Sequence, residues 1–543
     1  MESEDKLSDH TKIIAKGSFW TFMGSMIFKL ISFFYVVLVA RAATPGEVGT
    51  FYLALGLVSL VTIVSDLGVG SSLTRYVPYF EGKQAYRKIR ELLNFSYITV
   101  LLATVIAVII WLTADQVGQI YQNPELPEAM RILSLFLIFN AIVKIAYSFL
   151  TGKAEIKAGQ LLNNTQNLSK VVFTALLFWL FGASVSTLCL SFILSYIPTV
   201  ILGVYYTWKQ TLTIPQDGEQ LDKRELIHEI IPFGLMLTAI TSFSLIMSSS
   251  DRLLIGYLMP NSETALGIYS IAALLATVLT LFPATFSGIF FPLASKLLGK
   301  GDIEGMRSVV ATSQRWVLFL TLPIALVFIG FAEELLALFY GVVYIAGKEV
   351  VILFVIGIAI NSFAQTASLL LAAARQVKLE LYSIAVAAII NLILNIALIP
   401  SYGINGAAAA SGFSLIVMGA LWLYYTKKLF NISLPSESFR LAGVAVITLL
   451  ILIIIKPFIS PIWTIAQLIP IDQNLQIYVN KIAQLLSLSL LSLLCFAIFF
   501  PIALWLKCFQ REDVLLMKSA LRRAYVPASV SSLLETIVMN GVA

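Results

Sequence analysis

Histidine, cysteine and charged residues are scarce in this chain of 543 residues. It has two histidines, His10 and His228, and neither belongs to a group of Cys, His, Asp and Glu with the spacing of a metal site. The three cysteines lie in or beside apolar segments, which indicates no disulfide framework. The phosphate-binding sequence G-x-x-x-x-G-K-[ST] does not occur, so a P-loop ATPase is excluded. We therefore expect no enzyme, no catalytic residues, no metal and no cofactor.

Charged residues make up 12% of the chain, hydrophobic residues 59%, and the mean hydropathy is +0.90. A soluble domain has about 25% charged and about 45–50% apolar residues. About 20 apolar residues cross a hydrocarbon core of roughly 30 Å. The sequence predicts an all-α polytopic membrane protein with 14 transmembrane helices, near 17–40, 48–73, 92–112, 131–151, 160–181, 184–207, 230–257, 265–292, 308–331, 350–373, 381–399, 405–426, 440–460 and 481–506.

Lysine and arginine are distributed unevenly between the two sides of the membrane. We count 26 of the 36 on the side of the N-terminus, against four in the opposite loops. Cytoplasmic loops carry such an excess, so both termini are expected in the cytoplasm and the protein in the plasma membrane. The pI of about 9.0 then reflects topology, and no nucleic-acid partner is expected. The first segment follows a charged leader without a cleavage site, which indicates a retained helix.

Large loops are also missing on the outer side. The longest predicted outer loops are 113–130, 332–349 and 461–480. Membrane glycosyltransferases and polysaccharide polymerases usually need a sizeable outer loop or domain to hold their substrate. The short loops leave secondary transport or lipid flipping.

The chain contains an internal repeat. Val48-Gly49-Thr50-Phe51-Tyr52 recurs as Leu266-Gly267-Ile268-Tyr269, and Asn140, Lys157 and Gly182 recur 221 residues later as Asn361, Lys378 and Gly403. The repeat unit has six helices, an even number, so both copies have the same orientation, as in other two-lobed transporters. We predict two six-helix lobes related by a parallel repeat, with substrate between them. The expected order is an N-terminal lobe (1–207), a cytoplasmic linker (208–229), a C-terminal lobe (230–428), two extra helices (429–508) and an amphipathic cytoplasmic tail (509–543).

Seven charged residues interrupt the apolar segments, with an excess of three positive charges: Lys29, Asp66, Lys144, Lys170, Asp251, Arg252 and Arg315. A charge at the bilayer centre costs roughly 2.5–3.5 kcal/mol on insertion scales, so it normally faces a wet interior or a partner. This pattern indicates a transporter with a positively charged cavity. Interhelical hydrogen bonds or ion pairs, and snorkelling of Lys144 and Arg315 to the interface, are the alternative explanation.

Asp251 and Arg252 are adjacent, so their side chains point about 100° apart on a helix. We expect one to face the cavity and the other to pair with a neighbouring helix. Asp66 and Asp251 are the two carboxylates in apolar segments, which makes them the candidates to bind a coupling proton or sodium ion.

Four motifs carry a resemblance to a known family: Lys16-Gly17-Ser18-Phe19-Trp20, Asp66-Leu67-Gly68, Asp251-Arg252-Leu253-Leu254-Ile255-Gly256 and Tyr402-Gly403-Ile404-Asn405-Gly406-Ala407. Up to about residue 506, the chain resembles the polysaccharide-biosynthesis flippases of the multidrug, oligosaccharidyl-lipid and polysaccharide exporter superfamily. The resemblance implies a V-shaped, cation-lined cavity between two lobes. It also implies outward flipping of undecaprenyl- or dolichyl-pyrophosphate-linked sugars. The two extra helices imply a groove for a polyprenyl tail, as in the peptidoglycan-precursor flippase.

The expected function is therefore a flippase that moves a polyprenyl-(pyro)phosphate-linked oligosaccharide to the outer leaflet by alternating access. Expected partners are this substrate, membrane lipid, and glycosyltransferases or a polymerase of the same pathway. Two alternatives remain, a cation-coupled multidrug exporter of the same superfamily and a non-transporting partner of a polysaccharide-synthesis complex. The candidate substrate-binding residues are Lys29, Lys144, Lys170, Arg252, Arg315, Asn140, Asn167 and Asn361.

Overall fold

The computed structural model describes residues 26–66, 68–215, 218–259, 261–432, 435–459, 473–510 and 513. Helices joined by short turns make up most of this part of the chain. The first nine are α1 (26–42), α2 (Pro45–Asp66), α3 (Val69–Gly82), α4 (Tyr86–Ser96), α5 (Ile98–Ile120), α6 (Leu126–Gly152), α7 (Ile156–Phe181), α8 (Val185–Leu194) and α9 (Tyr196–Leu212).

A short helix, α10 (Lys223–Glu225), and a π-helical turn (Leu226–Ile230) lead into the second group of helices. These are α11 (Ile231–Leu258), α12 (Glu263–Thr277), α13 (Leu281–Lys300), α14 (Ile303–Gly330), α15 (Ala332–Phe339), α16 (Lys348–Ala373), α17 (Val377–Phe430), α18 (Ser436–Ile459) and α19 (Gln473–Trp505).

Eleven helices of the described residues are long and apolar enough to cross a membrane, so the protein is an all-helical, multi-pass membrane protein. Helix α7 has 26 residues but is not among the eleven, because its asparagines and Lys170 lower its hydropathy. The long helix α17 is counted as one of the eleven, although the backbone of Gly403 within it is not helical. The number of fourteen spans, the two-lobe arrangement and the cytoplasmic termini stay predictions.

Backbone geometry repeats at the spacing found in the sequence. Gly182 and Gly403, 221 residues apart, both have positive φ angles, of 77° and 58°. Ala154 and Arg375 have the same spacing, with φ angles of 59° and 60°. Positive φ is uncommon for residues other than glycine. Its recurrence at equivalent turns supports the internal repeat.

One compact unit comprises residues 1–274 and 384–410. Helix α6 packs against α2, α3, α5 and α9 in this unit, and α11 packs against α2 and α3. Leu73 and Phe80 of α3 and Phe149 of α6 belong to a hydrophobic core that is almost fully buried. Because α11 packs with α2 and α3, the unit extends past the predicted lobe boundary at 207–230.

The second compact unit comprises residues 275–383 and 411–543. In it, α18 and α19 pack against α14 through a continuous apolar core that includes Leu318, Val444 and Phe499. These are the two helices that the sequence places outside the repeat. Most of the predicted tail, 509–543, lies outside the described residues; so do residues 1–25, which hold the first family motif.

Candidate functional site

Asp251 is held in a buried polar network between α11, α12 and the first part of α17. Its carboxylate accepts hydrogen bonds from Tyr269 Oη, Asn395 Nδ2 at 2.6 Å and Asn391 Nδ2 at 3.3 Å. Ser250 donates to Asn391 Oδ1 at 2.7 Å, and Asn395 donates to the same oxygen at 3.1 Å. Asp251 is 3% exposed, and both asparagines are 0% exposed. The network thus surrounds the carboxylate with hydrogen-bond donors.

This network concentrates oxygen atoms in one dry place. The two carboxylate oxygens of Asp251 lie beside the side-chain amides of Asn391 and Asn395, and Asn395 Oδ1 is buried without a hydrogen-bond partner in the part of the chain that the structure describes. Oxygen ligands suit hard cations, and a carboxylate can also take up a proton. The set could therefore hold a proton or one monovalent cation. Within the described ranges, no three His, Cys, Asp or Glu side chains are grouped so that they could hold a metal ion.

Arg252 points away from this network and lies over an aromatic ring of α2. Its guanidinium carbon is 5.4 Å from the centroid of the Tyr52 ring. Its Nε is buried and has no hydrogen-bond partner among the described residues. Adjacent Asp251 and Arg252 thus meet different helices, as their spacing predicted. A cation over an aromatic face keeps its N–H groups available for a further ligand.

Lys170 lies near the middle of α7 and contacts α1. Its Nζ is 4.4 Å from the centroid of the Tyr35 ring. Asn167 is one turn before Lys170 in α7, and its Oδ1 accepts a hydrogen bond from Ser32 Oγ of α1 at 3.0 Å. Lys29 is one turn before Ser32 in α1. Lys29 is half-buried. The predicted polar stripe of α7 therefore faces α1, which places Lys29, Asn167 and Lys170 along one seam.

Lys144 and Asp66 form an ion pair between α6 and the end of α2. Lys144 Nζ lies 2.8 Å from Asp66 Oδ1, and Thr238 of α11 donates to Asp66 Oδ2 at 3.2 Å. A pocket beside the pair has a volume of about 20 Å³, and its polar lining includes Asn140 and Thr62. A cavity of roughly 10–15 Å³ holds one water. The pocket thus has room for water or a small ion.

Arg315 is separated from these groups. It lies in α14 of the second unit, where its Nε is 3.0 Å and its Nη2 3.3 Å from the carboxylate of Asp513. Both side chains are almost fully buried, 3% and 1% exposed. Gln510 donates its backbone N–H to the same carboxylate at 2.8 Å. Because Asp513 already occupies the guanidinium, we leave Arg315 out of the candidate site.

The three asparagines of the predicted site have different surroundings. Asn140 lines the pocket beside Lys144, and Asn167 bonds Ser32. Asn361, in contrast, donates to the carbonyl oxygen of Leu415 at 2.8 Å in the second unit. That bond joins α16 to α17, so we also leave Asn361 out of the candidate site.

Of the seven charged residues, Asp66 and Lys144 pair with each other, Arg315 pairs with Asp513, and Asp251 is hydrogen-bonded. The other three are cations. In the part of the chain that the structure describes, no carboxylate lies within ion-pair distance of Lys29, Lys170 or Arg252. All three belong to the first compact unit. The positive excess expected from the sequence is thus concentrated in that unit.

Several residues of the site were not predicted. Asn391 and Asn395 are four residues apart in an apolar segment, a spacing that places both on one helix face and that sequence inspection can find. Tyr35 and Tyr52 give no such signal, because tyrosine is common in membrane helices for other reasons. Asp513 is 198 residues from Arg315, so no local pattern relates them.

Two family models match the chain. The model described as polysaccharide biosynthesis protein matches residues 14–298, more than half of the chain. A second, described as MatE, matches residues 234–397. The Asp251–Asn391–Asn395 network falls within the second match.

Curated relatives and solved structures agree with this assignment. The chain is 22% identical to an uncharacterized membrane protein of Methanocaldococcus jannaschii, over 76% of this chain and 84% of that protein. It is also 22% identical to a probable low-salt glycan biosynthesis flippase, Agl15, of Haloferax volcanii, over 77% and 84%. The lipid II flippase MurJ, in an inward closed conformation, shares the fold with a TM-score of 0.65 at 14% identity, over 88% of this chain and 98% of MurJ. The chain therefore belongs to the polysaccharide biosynthesis protein family, the flippase branch of the multidrug, oligosaccharidyl-lipid and polysaccharide exporter superfamily.

Proposed function

We propose that this protein flips a polyprenyl-(pyro)phosphate-linked oligosaccharide from the cytoplasmic to the outer leaflet by alternating access. The observation that carries the proposal is the set of three cations, Lys29, Lys170 and Arg252, that have no ion-pair partner among the described residues. Fixed cations inside membrane helices are costly unless they meet water or an anion. A lipid pyrophosphate supplies that anion.

The surroundings of the cations favour a transient ligand over a permanent partner. Lys170 and Arg252 each lie against a tyrosine ring, at 4.4 Å and 5.4 Å from the centroid. Such a contact is worth about 0.5–2 kcal/mol, far less than a paired carboxylate in a dry site. An arriving phosphate can therefore bind these cations without first displacing a carboxylate. The same weakness allows release on the opposite side.

The names of similar proteins support this class of substrate. One relative is named as a flippase of glycan biosynthesis, and the protein that shares the fold is a lipid II flippase. One name refers to glycan biosynthesis and the other to a lipid, and a lipid-linked sugar fits both. We propose this class of substrate for the chain, but not a particular sugar or lipid. A pathway of this kind also needs glycosyltransferases to supply the substrate and a polymerase or ligase to consume it.

We assign the coupling ion to the Asp251 network. Asp251 accepts hydrogen bonds from Tyr269, Asn391 and Asn395, and Asn395 Oδ1, which has no hydrogen-bond partner among the described residues, offers a position for a donor or a cation. A proton or sodium ion bound here would change the hydrogen bonds between α11, α12 and α17. Asp66 is the weaker candidate, because Lys144 already neutralises it.

A cation-coupled multidrug exporter is the second candidate, and the MatE match to residues 234–397 favours it. An exporter of cationic drugs needs carboxylates in its cavity. Here Asp66 is paired with Lys144 and Asp251 accepts hydrogen bonds from neutral side chains, while Lys29, Lys170 and Arg252 have no carboxylate within ion-pair distance among the described residues. The balance of charge supports an anionic substrate.

Reconstituted protein tests the proposal. We would measure flipping of a fluorescent polyprenyl-pyrophosphate oligosaccharide in proteoliposomes by dithionite quenching. Lys170→Ala should reduce the rate at least tenfold, because the mid-membrane cation is lost, and Lys170→Arg should keep part of it. Lys348→Ala is the matched control, since Lys348 forms an exposed ion pair with Glu333 at 3.6 Å. Equal rates for Lys170→Ala and wild type would contradict the proposal.

A further inference from the structure

Three contacts join the junction of α2 and α3 to the start of α11 and the turn before it. Thr238 bonds Asp66 at 3.2 Å, and Ser72 Oγ donates to the carbonyl oxygen of Ile230 at 3.1 Å. Between them, Gly68 and Gly234 bring the two backbones together, and a Cβ on either glycine would overlap the other. We name this set of contacts the α3–α11 lock. It lies at the helix ends that the sequence predicts to be cytoplasmic.

The geometry of the chain at Gly68 makes the lock possible. Gly68 has φ 73° and ψ 8°, which ends the helical path of α2 and lets α3 turn towards α11. Glycine adopts this conformation without a steric penalty. Asp66, the last residue of α2, is therefore next to the hinge and to the lock. Its carboxylate touches α6 through one oxygen and α11 through the other.

The two partners of the ion pair differ in accessibility. The side chain of Lys144 is 42% exposed, whereas that of Asp66 is 12% exposed. The stem of Lys144 passes over Gly70, where an added Cβ would lie 3.1 Å from its Cε. An anion can therefore reach the ammonium of Lys144 from the open side while Asp66 stays behind it. The polar pocket lined by Asn140 and Thr62 continues from the same place.

We propose that Asp66 is a switch that keeps the α3–α11 lock closed while it is paired with Lys144, and that a phosphate group binding Lys144 releases Asp66 and opens the lock. This inference rests on the proposed function, because the phosphate is that of the lipid-linked substrate. Asp66 is a positioning residue, since it acts through Lys144 and α11.

The direction of the switch follows from charge. A phosphate at hydrogen-bond distance from Lys144 brings negative charge next to Asp66, and like charges at short range repel. Without Lys144, the largely buried carboxylate keeps one neutral donor, Thr238. An ionised carboxylate with so few hydrogen-bond partners is costly to bury, so hydration by water stabilises it. The small pocket beside Asp66 has room for little water, and separation of α3 and α11 admits more, so binding of the anion opens the lock.

Cysteine accessibility at Ser72 reports the state of the lock. Ser72 is 2% exposed, and a thiol at this position remains a weak hydrogen-bond donor to the carbonyl oxygen of Ile230. We would introduce Ser72→Cys into full-length protein whose three native cysteines, all buried, are replaced by alanine. The alkylation rate by a maleimide is then measured in detergent with farnesyl pyrophosphate, inorganic pyrophosphate or farnesol. Binding of each compound is measured separately by thermal shift.

Farnesyl pyrophosphate should raise the alkylation rate at least about fivefold, and farnesol should not. An equal effect of inorganic pyrophosphate would show that phosphate alone opens the lock, and a smaller one that the lipid tail contributes. Asp66→Asn should raise the rate without any ligand, and Lys144→Gln should abolish the response to ligand. Glu81→Gln is the matched control, because Glu81 of α3 pairs at 2.6 Å with Lys153, the residue that follows α6, and this variant should behave as wild type.

A charge exchange separates a switch from a purely structural ion pair. Asp66→Lys combined with Lys144→Asp restores an ion pair, so both explanations expect a folded protein. The switch predicts that farnesyl pyrophosphate no longer opens the lock, because the accessible charge is now negative. A response equal to wild type in the exchanged protein would overturn the inference.

Two results distinguish this inference from the proposed function. Binding of farnesyl pyrophosphate without any change in alkylation would overturn the switch and leave the flippase proposal standing. Failure of any pyrophosphate to bind the wild-type protein would overturn both. Low alkylation in Asp66→Asn that elutes as a folded monodisperse protein would also overturn the switch.

Discussion

Gly49 and Gly267, which the internal repeat matches to each other, pack helix against helix at the starts of α2 and α12. A Cβ on Gly49 would overlap the carbonyl oxygen of Glu263, and a Cβ on Gly267 would overlap that of Pro45. The repeated glycine therefore allows two helices to pack closely at this point. Two copies of one small residue allow the backbones to touch, which is how membrane helices approach closely.

Gly49→Ala should destabilise the protein, because the methyl group meets backbone and not a movable side chain. Overpacking typically costs about 1–3 kcal/mol, and a backbone overlap belongs at the upper end. The thermal unfolding temperature of purified protein measures the effect. Gly56→Ala is the matched control in the same helix, since no atom lies within 4 Å of its Cβ position, and it should not lower the unfolding temperature. Equal stability of the two variants would contradict the tight crossing.

Breaking the ion pair between Arg315 and Asp513 should destabilise the second unit. Asp513→Ala leaves a buried guanidinium unpaired, and removing one partner of a buried pair costs about 3–5 kcal/mol. The double variant Arg315→Leu, Asp513→Leu should recover most of that loss because it leaves no buried charge. Thermal unfolding of the three proteins gives the comparison. A double variant no more stable than Asp513→Ala would contradict this role.

Asp251→Asn should uncouple transport from the driving ion while the protein remains folded. Asparagine keeps the size of the side chain and an acceptor oxygen, but it cannot release or bind a proton in this range. The rate of flipping in proteoliposomes should then no longer respond to an imposed proton or sodium gradient. Asp115→Asn, at an exposed ion pair with Arg131, should respond as wild type does. An intact gradient response in Asp251→Asn would return Asp251 to a structural role.

Tyr52→Leu should weaken substrate binding through Arg252. The ring positions the guanidinium, and its loss removes a cation–π contact worth about 0.5–2 kcal/mol. We expect a roughly two- to thirtyfold rise in the dissociation constant for farnesyl pyrophosphate, measured by titration. Tyr52→Phe keeps the aromatic face and should bind nearly as wild type does. If both variants bind equally well, the ring does not position Arg252.

The sequence was enough to predict the all-helical membrane class and the divergence of Asp251 and Arg252, because both follow from periodicity and composition, while the number of fourteen helices stays a prediction. It was also enough to place positive charge in the first half of the chain. It did not reveal that Lys144 and Arg315 already have carboxylate partners, Asp66 and Asp513. Such partners depend on which helices pack together, and one apolar helix face resembles another in sequence. The spacing of Asn391 and Asn395 can be recognised in the sequence, but only the fold shows that they contact Asp251 on another helix.

The central claim is that fixed cations in the first unit move a lipid whose headgroup is anionic. The most direct measurement compares flipping by the wild-type protein of two lipids that carry the same oligosaccharide and polyprenyl chain. One has a pyrophosphate link and the other a neutral glycosidic link. The pyrophosphate lipid should be flipped at least ten times faster, and Lys170→Ala should remove most of this difference. Equal rates for the two lipids would contradict the central claim.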